Sequence, residues 1–441
     1  MSIVIVSLLS IITKVNIFNV FAIVILGGVV SILLLKKDKY LLYSLLISSL
    51  ILKPLIFYFH LPNIIYYVVE ILLLLIIIKL LFFKRKKVEL PYWYNKYKLM
   101  LVIMLIVSII SMILNRENII NFFYGVRVHY KFLIIPLIFP YLNINDEEKK
   151  CCINIFKIFM FIQIPIVVIQ NKLGYIGDNQ GGWFGDGGTS ILAINLTLTF
   201  ILLLDEYMRK KTKLLSISIF TLLVFVISAL AEIKLLFLTI PVILISVIIL
   251  NRLTIKNIII TIIIIISLGT AYEQFIKIYP VYKDFLSQER LNEYLYSSGY
   301  SGDGTVNRFS SLQFINDNMH NNVGVKLFGV GIGNASPSNI SIFQGEYYKK
   351  YEESKYYRFW ISYVYSEVGI LGIIVYLIII NYLLFICLKN KSKCRNIGIS
   401  MFILFIITSV YNQGILVNEI GIPFWILLTI FNCGGRKSIE G

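Results

Sequence analysis

Charge is scarce in this chain. Only 15% of its 441 residues are charged while 58% are apolar, and the mean hydropathy is +0.81. A soluble domain carries about a quarter charged residues, so this balance excludes a water-soluble globular protein. Cysteine is equally thin, at five residues. Cys151, Cys152, Cys387, Cys394 and Cys433 all fall at ends of apolar runs that basic residues mark as cytoplasmic, so reduced thiols and no disulfide framework are expected. No His or second Cys pair accompanies them at metal-ligand spacing, and no metal or other cofactor is expected. Acidic residues number 24 against 41 basic, a net charge of +17. The cations cluster in short connections between apolar runs, as anionic headgroups and the positive-inside rule require, which argues for a lipid bilayer and against nucleic acid as partner.

What remains is apolar sequence in runs of roughly 15 to 25 residues, the length that crosses a bilayer as helix. The runs lie near 18–35, 40–58, 63–83, 98–114, 128–142, 153–169, 189–204, 214–230, 235–250, 258–271, 360–388, 397–412 and 420–432. Ile3–Ile12 is short for a span and lacks the basic start and small-residue cleavage site of a signal peptide, so it is expected to be retained. The expected fold is an all-α polytopic membrane protein of about 13 to 14 transmembrane helices. Basic connections at 36–39, 84–87, 146–150, 209–211, 252–256, 389–395 and the tail with Arg436 and Lys437 mark the cytoplasmic side. Every alternate connection then faces outward. Three regions follow: an N-terminal bundle (1–271), one large, partly helical extracytoplasmic loop (272–358), and C-terminal helices with a cytoplasmic tail (359–441).

Ionisable residues within apolar runs cost roughly 2.5–3.5 kcal/mol each at the bilayer centre and invite a functional reading. Glu70 has no partner close in sequence, and Lys53 and Gln163 share that ambiguity; Lys79, near a cytoplasmic end, is expected to snorkel to the headgroups. At the outer ends, Arg127 and Lys131 open a span with i, i+4 spacing that puts both cations on one face. Glu232 and Lys234 lie in SALAEIKLLF, where two runs meet with almost no loop, and Arg308 and Arg358 bracket the second half of the large loop. Guanidinium and ammonium groups gathered on one side form a candidate anion site, and Arg suits bidentate phosphate recognition.

Other motifs carry less. Gly329-Val-Gly-Ile-Gly333 lacks the strand-turn-helix setting of a dinucleotide fingerprint and reads as a compact packed turn. The stretch Gly185 to Ser190 lacks the Lys of a phosphate loop. Trp183 beside it suits the membrane interface or a stacked sugar. Of the three histidines, His60, His129 and His320, only His320 lies in the large loop, where an imidazole is placed to accept a proton from a hydroxyl.

Four stretches in order, GVRVHYKFLIIPLIF, SALAEIKLL, RFSSLQFINDNMHNNVGVKLFGVGIGN and SEVGILGIIVYL, resemble the O-antigen polymerase and O-antigen ligase superfamily. The layout matches over most of the chain, the motifs over about sixty residues. The resemblance implies a metal-independent enzyme on the outer face of the bacterial cytoplasmic membrane that joins polyprenyl (undecaprenyl) diphosphate-linked glycans. Arg127, Arg308 and the Glu232–Lys234 turn fall at its functional positions. One departure is plain: ligases of the family carry a His-Asn pair about nine residues before the Glu of the E-x-G-x-x-G stretch, and counting back from Glu367 lands on Arg358-Phe359. The turn between spans also has Glu-Ile-Lys where many members have Ser-Arg. Both differences lean toward a polymerase of O-antigen, capsule or exopolysaccharide.

In the implied reaction a sugar hydroxyl of one lipid-linked repeat unit attacks the anomeric carbon of another with inversion, and polyprenyl diphosphate leaves. Arg127, Lys131, Lys234, Arg308 and Arg358 are the expected substrate-binding cations, with Arg308 also in the catalytic set. Glu232 is the first choice of general base and His320 the second, whereas Glu367 is expected to anchor the loop end. Donor and acceptor glycans are the implied partners, with a chain-length regulator and a flippase as protein candidates. Rival readings are a ligase, a lipid-linked oligosaccharide flippase, disfavoured by the long loop and lack of internal repeats, and a polyprenyl-phosphate-sugar transferase, disfavoured by the absence of acidic residues near Phe59–Pro62.

Overall fold

The computed structural model describes residues 37–82, 89–250, 255–280, 283, 305–338, 340–389 and 394–432. The segment Ile3–Ile12, the expected span at 18–35, the connection at 84–87, Cys433 and the basic tail lie outside the described residues.

Among the described residues all regular structure is helical. The principal helices are α1 (Asp38–Phe59), α2 (Val68–Phe82), α3 (Tyr94–Leu114), α4 (Ile119–Leu133), α5 (Asp146–Lys172), α6 (Thr189–Met208), α7 (Leu214–Leu230), α8 (Lys234–Leu250) and α9 (Ile255–Ile278). Three short helices follow in the polar segment, α10 (Ser310–Asn318), α11 (Val323–Phe328) and α12 (Glu346–Tyr351), and then α13 (Trp360–Lys389), α14 (Arg395–Tyr411) and α15 (Asn418–Asn432). The expected spans that fall on described residues lie on these helices, except that the run expected at 128–142 falls on a bent pair that begins at Ile119. Six helices are long and apolar enough to cross a membrane, or seven if the bent pair Ile119–Leu133 and Ile135–Tyr141 is one span. The count among described residues is smaller than the 13 to 14 expected: α7, α8 and α14 are shorter apolar helices, α9 and α15 are not among the candidate spans, and the expected span at 18–35 lies outside the described residues.

Helices apolar on every side belong in a core or a membrane. Here both occur: α6 has 83% of its apolar window buried inside the protein, while α2 and α3 have only 28% and present Leu74, Ile106 and Ile113 outward. Buried α15 packs against α1, α6 and α13. Start signals are local: Asn118 caps α4 by accepting from the Ile120 amide at 2.9 Å, and Asn145 and Glu148 form a reciprocal capping box on α5. Beyond α4 the chain bends by 56°. Pro136 lies in the first turn of the second limb, where a missing N–H costs no internal bond.

Two sequence expectations are corrected here. Arg127 does not open a span: α4 begins at Ile119, so Arg127 sits in its middle and Lys131 in its last turn. Charge is tolerated there because it is paired within the bundle. Lys79 does not snorkel; its ammonium meets Asp38 at 2.8 Å, with both side chains largely buried. In addition, α9 continues to Ile278, past the position where the polar segment was expected to start.

The polar segment is threaded into the bundle. Helix α13 is broken at Gly369, whose φ of +62° is left-handed. The break frees carbonyls, and the glycine-rich turn supplies amides to them: Val330 N–H donates to Ser366 O at 2.9 Å and Gly331 N–H to Glu367 O at 3.2 Å. Satisfying backbone groups internally is obligatory at membrane depth. Glycine is needed because the backbones touch. A Cβ on Gly369 would lie 2.5 Å from Gly329 N, and one on Gly333, at φ +98°, would lie 1.9 Å from Asn121 O. Asn115 Nδ2 donates to Gly329 O at 2.9 Å from the end of α3. The glycine string is thus a packed turn, seated against α4 and α13.

Gly333→Ala should abolish monodisperse folded protein in detergent, since the clash with α4 adds to left-handed strain on the order of 1–3 kcal/mol. Gly187→Ala, at φ +62° with nothing within 4 Å of its Cβ, should fold and lose only a few degrees in a thermal melt.

Candidate functional site

Glu70 of α2 is the hinge of the site. Its Oε1 accepts from Arg127 Nη2 at 2.9 Å and from Lys131 Nζ at 3.3 Å. The i, i+4 spacing on α4 therefore does place both cations on one face, and the lone acidic residue of α2 is their shared partner. The Arg127 guanidinium also lies over the rings of Tyr67 at 4.6 Å and Tyr124 at 5.3 Å, contacts in which aromatic faces stabilise a partly dehydrated cation. Lys131 reaches on to Asn418 Oδ1 at 2.8 Å, tying α4 to the start of α15.

Arg127, Lys131, Tyr67 and Tyr124 line a cavity of about 810 Å³. Its walls come from the ends of α1, α4 and α15, the turns around 63–67 and 413–417, and the polar segment at Pro337, Ser338, Ile340 and Tyr348. Tyr124 holds that roof by donating to Pro337 O at 2.8 Å and stacking on Phe343 with centroids 5.1 Å apart. Three cations, Lys53, Arg127 and Lys131, line the space against one carboxylate, Glu419. Tyr66, Tyr67, Tyr124, Tyr348 and Tyr363 supply aromatic faces and hydroxyls. The arrangement suits an anion with an attached polar, ring-rich body.

Glu419 is fully buried. Its Oε2 accepts from Tyr66 OH at 2.7 Å, and its backbone carbonyl accepts from Asn195 Nδ2 of α6 at 2.9 Å. Its Oε1 is buried with no hydrogen-bond partner among the described residues. Sequence reading missed Glu419 because it opens the last apolar run and looks like a polar helix start; its burial comes from elements distant in the chain.

The remaining predicted residues divide into other groups. Glu232, at φ +58°, and Lys234 pair at 3.3 Å across their tight turn, and Lys234 also feels the charges of Asp178 and Arg308. Arg308 packs on the rings of Phe359 at 5.5 Å and Tyr411 at 5.0 Å. These three predicted residues are therefore brought together, but none lines the large cavity. Arg358 follows Tyr357, whose carbonyl accepts from Gln413 at 2.6 Å, and it too is outside the cavity lining. His320 is buried against Tyr365, with ring centroids 4.5 Å apart, and burial pushes its imidazole down to about 4. It is neutral at neutral pH, yet it does not face the cavity. Gln163 and Gln170 hold the turn at 182–183: Gln163 Oε1 accepts from Trp183 N–H at 2.7 Å and Gln170 Oε1 from Gly182 N–H at 2.9 Å.

Behind the cavity a second acid cluster is closed off. Glu367 is fully buried, 2.7 Å from His129 Nε2 through Oε2 and 2.7 Å from Ser336 Oγ through Oε1. Ser336 also bonds Tyr363 OH. Both carboxylate oxygens are occupied, joining α13 to α4 and to the polar segment. Glu117, in the connection before α4, lies against Gly331, and burial together with the Glu367 charge pushes its carboxyl up to about 9. Among the described residues no group of three or more His, Cys, Asp or Glu side chains is placed to hold a metal ion.

Two outcomes follow from this geometry. Glu70→Ala should destabilise the protein by about 3 kcal/mol, because two cations lose their common partner in apolar surroundings, and adding Lys131→Met should recover part of it in a thermal melt. Glu117 holds its proton more tightly folded than unfolded, so its contribution is full below the ordinary carboxyl range and fades as pH rises toward about 9. Glu117→Gln should therefore raise the melting temperature at pH 8 more than at pH 4 and flatten its decline between them. Compared with protein-family models and with curated proteins, the chain finds no match.

Proposed function

We propose that the chain is a polysaccharide polymerase on the outer face of the bacterial cytoplasmic membrane, joining polyprenyl-diphosphate-linked repeat units by inverting glycosyl transfer. The observation that carries this reading is the cavity of about 810 Å³ in which Lys53, Arg127 and Lys131 face a tyrosine-rich wall under the polar segment. The four-motif resemblance supports it independently, since Arg127 belongs to the first motif and the roof of the cavity directly follows the third.

The chemistry asks little more of the protein than placement and charge. The acceptor hydroxyl oxygen forms a bond to the donor's anomeric carbon as the bond from that carbon to the diphosphate oxygen breaks. The leaving diphosphate gains negative charge, so fixed cations stabilise the transition state more than the ground state. Arg127 and Lys131, held by Glu70, are preorganised for this, and Lys53 completes the cation set. Each reaction involves two lipid diphosphates, one leaving and one retained at the far end of the acceptor. The Lys234–Arg308 group, with Arg358 next to the Phe359 on which Arg308 packs, is assigned to the second. The tyrosine faces hold the sugars.

The decisive assay supplies the natural lipid-linked repeat unit to purified protein in liposomes and resolves the products on a gel. A ladder of many repeats is expected; a single addition to a different acceptor means a ligase, and an unchanged glycan delivered across the bilayer means a flippase. Arg127→Ala should lower the polymerisation rate by about two to three orders of magnitude, the scale for losing one charge-stabilising donor, with the protein still folded.

A further inference from the structure

Resting on the polymerase reading, we infer that Glu419 is the group that accepts the proton from the attacking sugar hydroxyl. A general base must reach the reacting hydroxyl, sit close to the cations that hold the leaving group, and keep an oxygen uncommitted. The acidic and imidazole groups around the site fail these conditions one after another. Glu70 gives Oε1 to both Arg127 and Lys131, and although its Oε2 has no hydrogen-bond partner among the described residues, it is not part of the cavity wall. Glu367 has both oxygens bound. Glu232 is paired with Lys234 in another group, and His320 is enclosed against Tyr365.

Glu419 meets all three. It lines the cavity with Lys53, Arg127 and Lys131. Its neighbour Asn418 is bonded to Lys131 at 2.8 Å, which fixes the start of α15 relative to the cations. One oxygen is held by Tyr66 at 2.7 Å, which sets the plane of the carboxylate. The other is buried without a partner among the described residues, although a buried acceptor left unsatisfied is costly. A hydroxyl of the acceptor's terminal sugar supplies that missing donor. In the step itself, the hydroxyl proton passes to Glu419 Oε1, the oxygen's electron pair forms the new glycosidic bond, and the diphosphate leaves with the electrons of the bond it breaks.

The test compares Glu419→Gln with the wild-type protein in the liposome assay, alongside binding of a fluorescent polyprenyl diphosphate to each. Glu419→Gln should cut the polymerisation rate by about 10²- to 10⁴-fold with polyprenyl diphosphate affinity held within about threefold of wild type. Should the Gln variant not fold, Glu419→Asp keeps the charge but draws the carboxylate back by one methylene. A loss of roughly tenfold or more at unchanged affinity then supports the assignment, and a wild-type rate overturns it. Polymerisation by folded Glu419→Gln at the wild-type rate removes Glu419 alone. Wild-type protein that makes no glycosidic bond with the natural repeat unit overturns the polymerase reading itself.

Discussion

A charge among apolar helices must find its counter-charge inside the protein, and this constraint organises the molecule around Glu70. One carboxylate oxygen holds an arginine and a lysine from the same face of α4. The pairing fixes α2 against α4, and the lysine's second contact extends the link to α15. Without that shared anion, α4 could not carry two cations through its apolar stretch at tolerable cost. The cavity exists because three helices are held at a polar junction where they would otherwise close on apolar side chains.

The same demand, applied to backbone, explains the polar segment. A helix broken within the bundle exposes carbonyls that no lipid can satisfy. The glycine-rich turn answers with its own amides, and the close approach of Gly329, Gly333, Gly125 and Gly369 is what makes the fit possible. The segment is consequently part of the bundle's hydrogen-bonding system. Its next residues, Pro337 and Ser338, roof the cavity, so the loop's anchoring and the shape of the site are one structural problem.

Much of this was legible in the sequence. Long apolar runs marked the helices because a bilayer-length apolar stretch has few other stable forms, and basic connections marked their ends. The i, i+4 pair Arg127–Lys131 was readable because helical spacing is local. Glu70 could be flagged as misplaced but not assigned, since its partners lie 57 and 61 residues away. The start of α4 was misplaced for a related reason: two cations look like a helix boundary until their internal partner is known. Glu419 was overlooked because a glutamate at the head of a run resembles an ordinary helix start, and only the tertiary arrangement shows that it faces a cavity. Arg308 joins Lys234 as the motif order implied, but the large cavity lies elsewhere, and no local pattern encodes that separation.

The Tyr66–Glu419 bond joins residues 353 positions apart, and Lys53 lies still earlier in the chain. The cavity therefore draws on helices far apart in the chain. Because α15 is buried against α1, α6 and α13, the cations of the cavity meet Asn418 and Glu419 only when this enclosed helix is packed between them. A single misplaced helix would therefore open the polar junction and strand its charges among apolar side chains together.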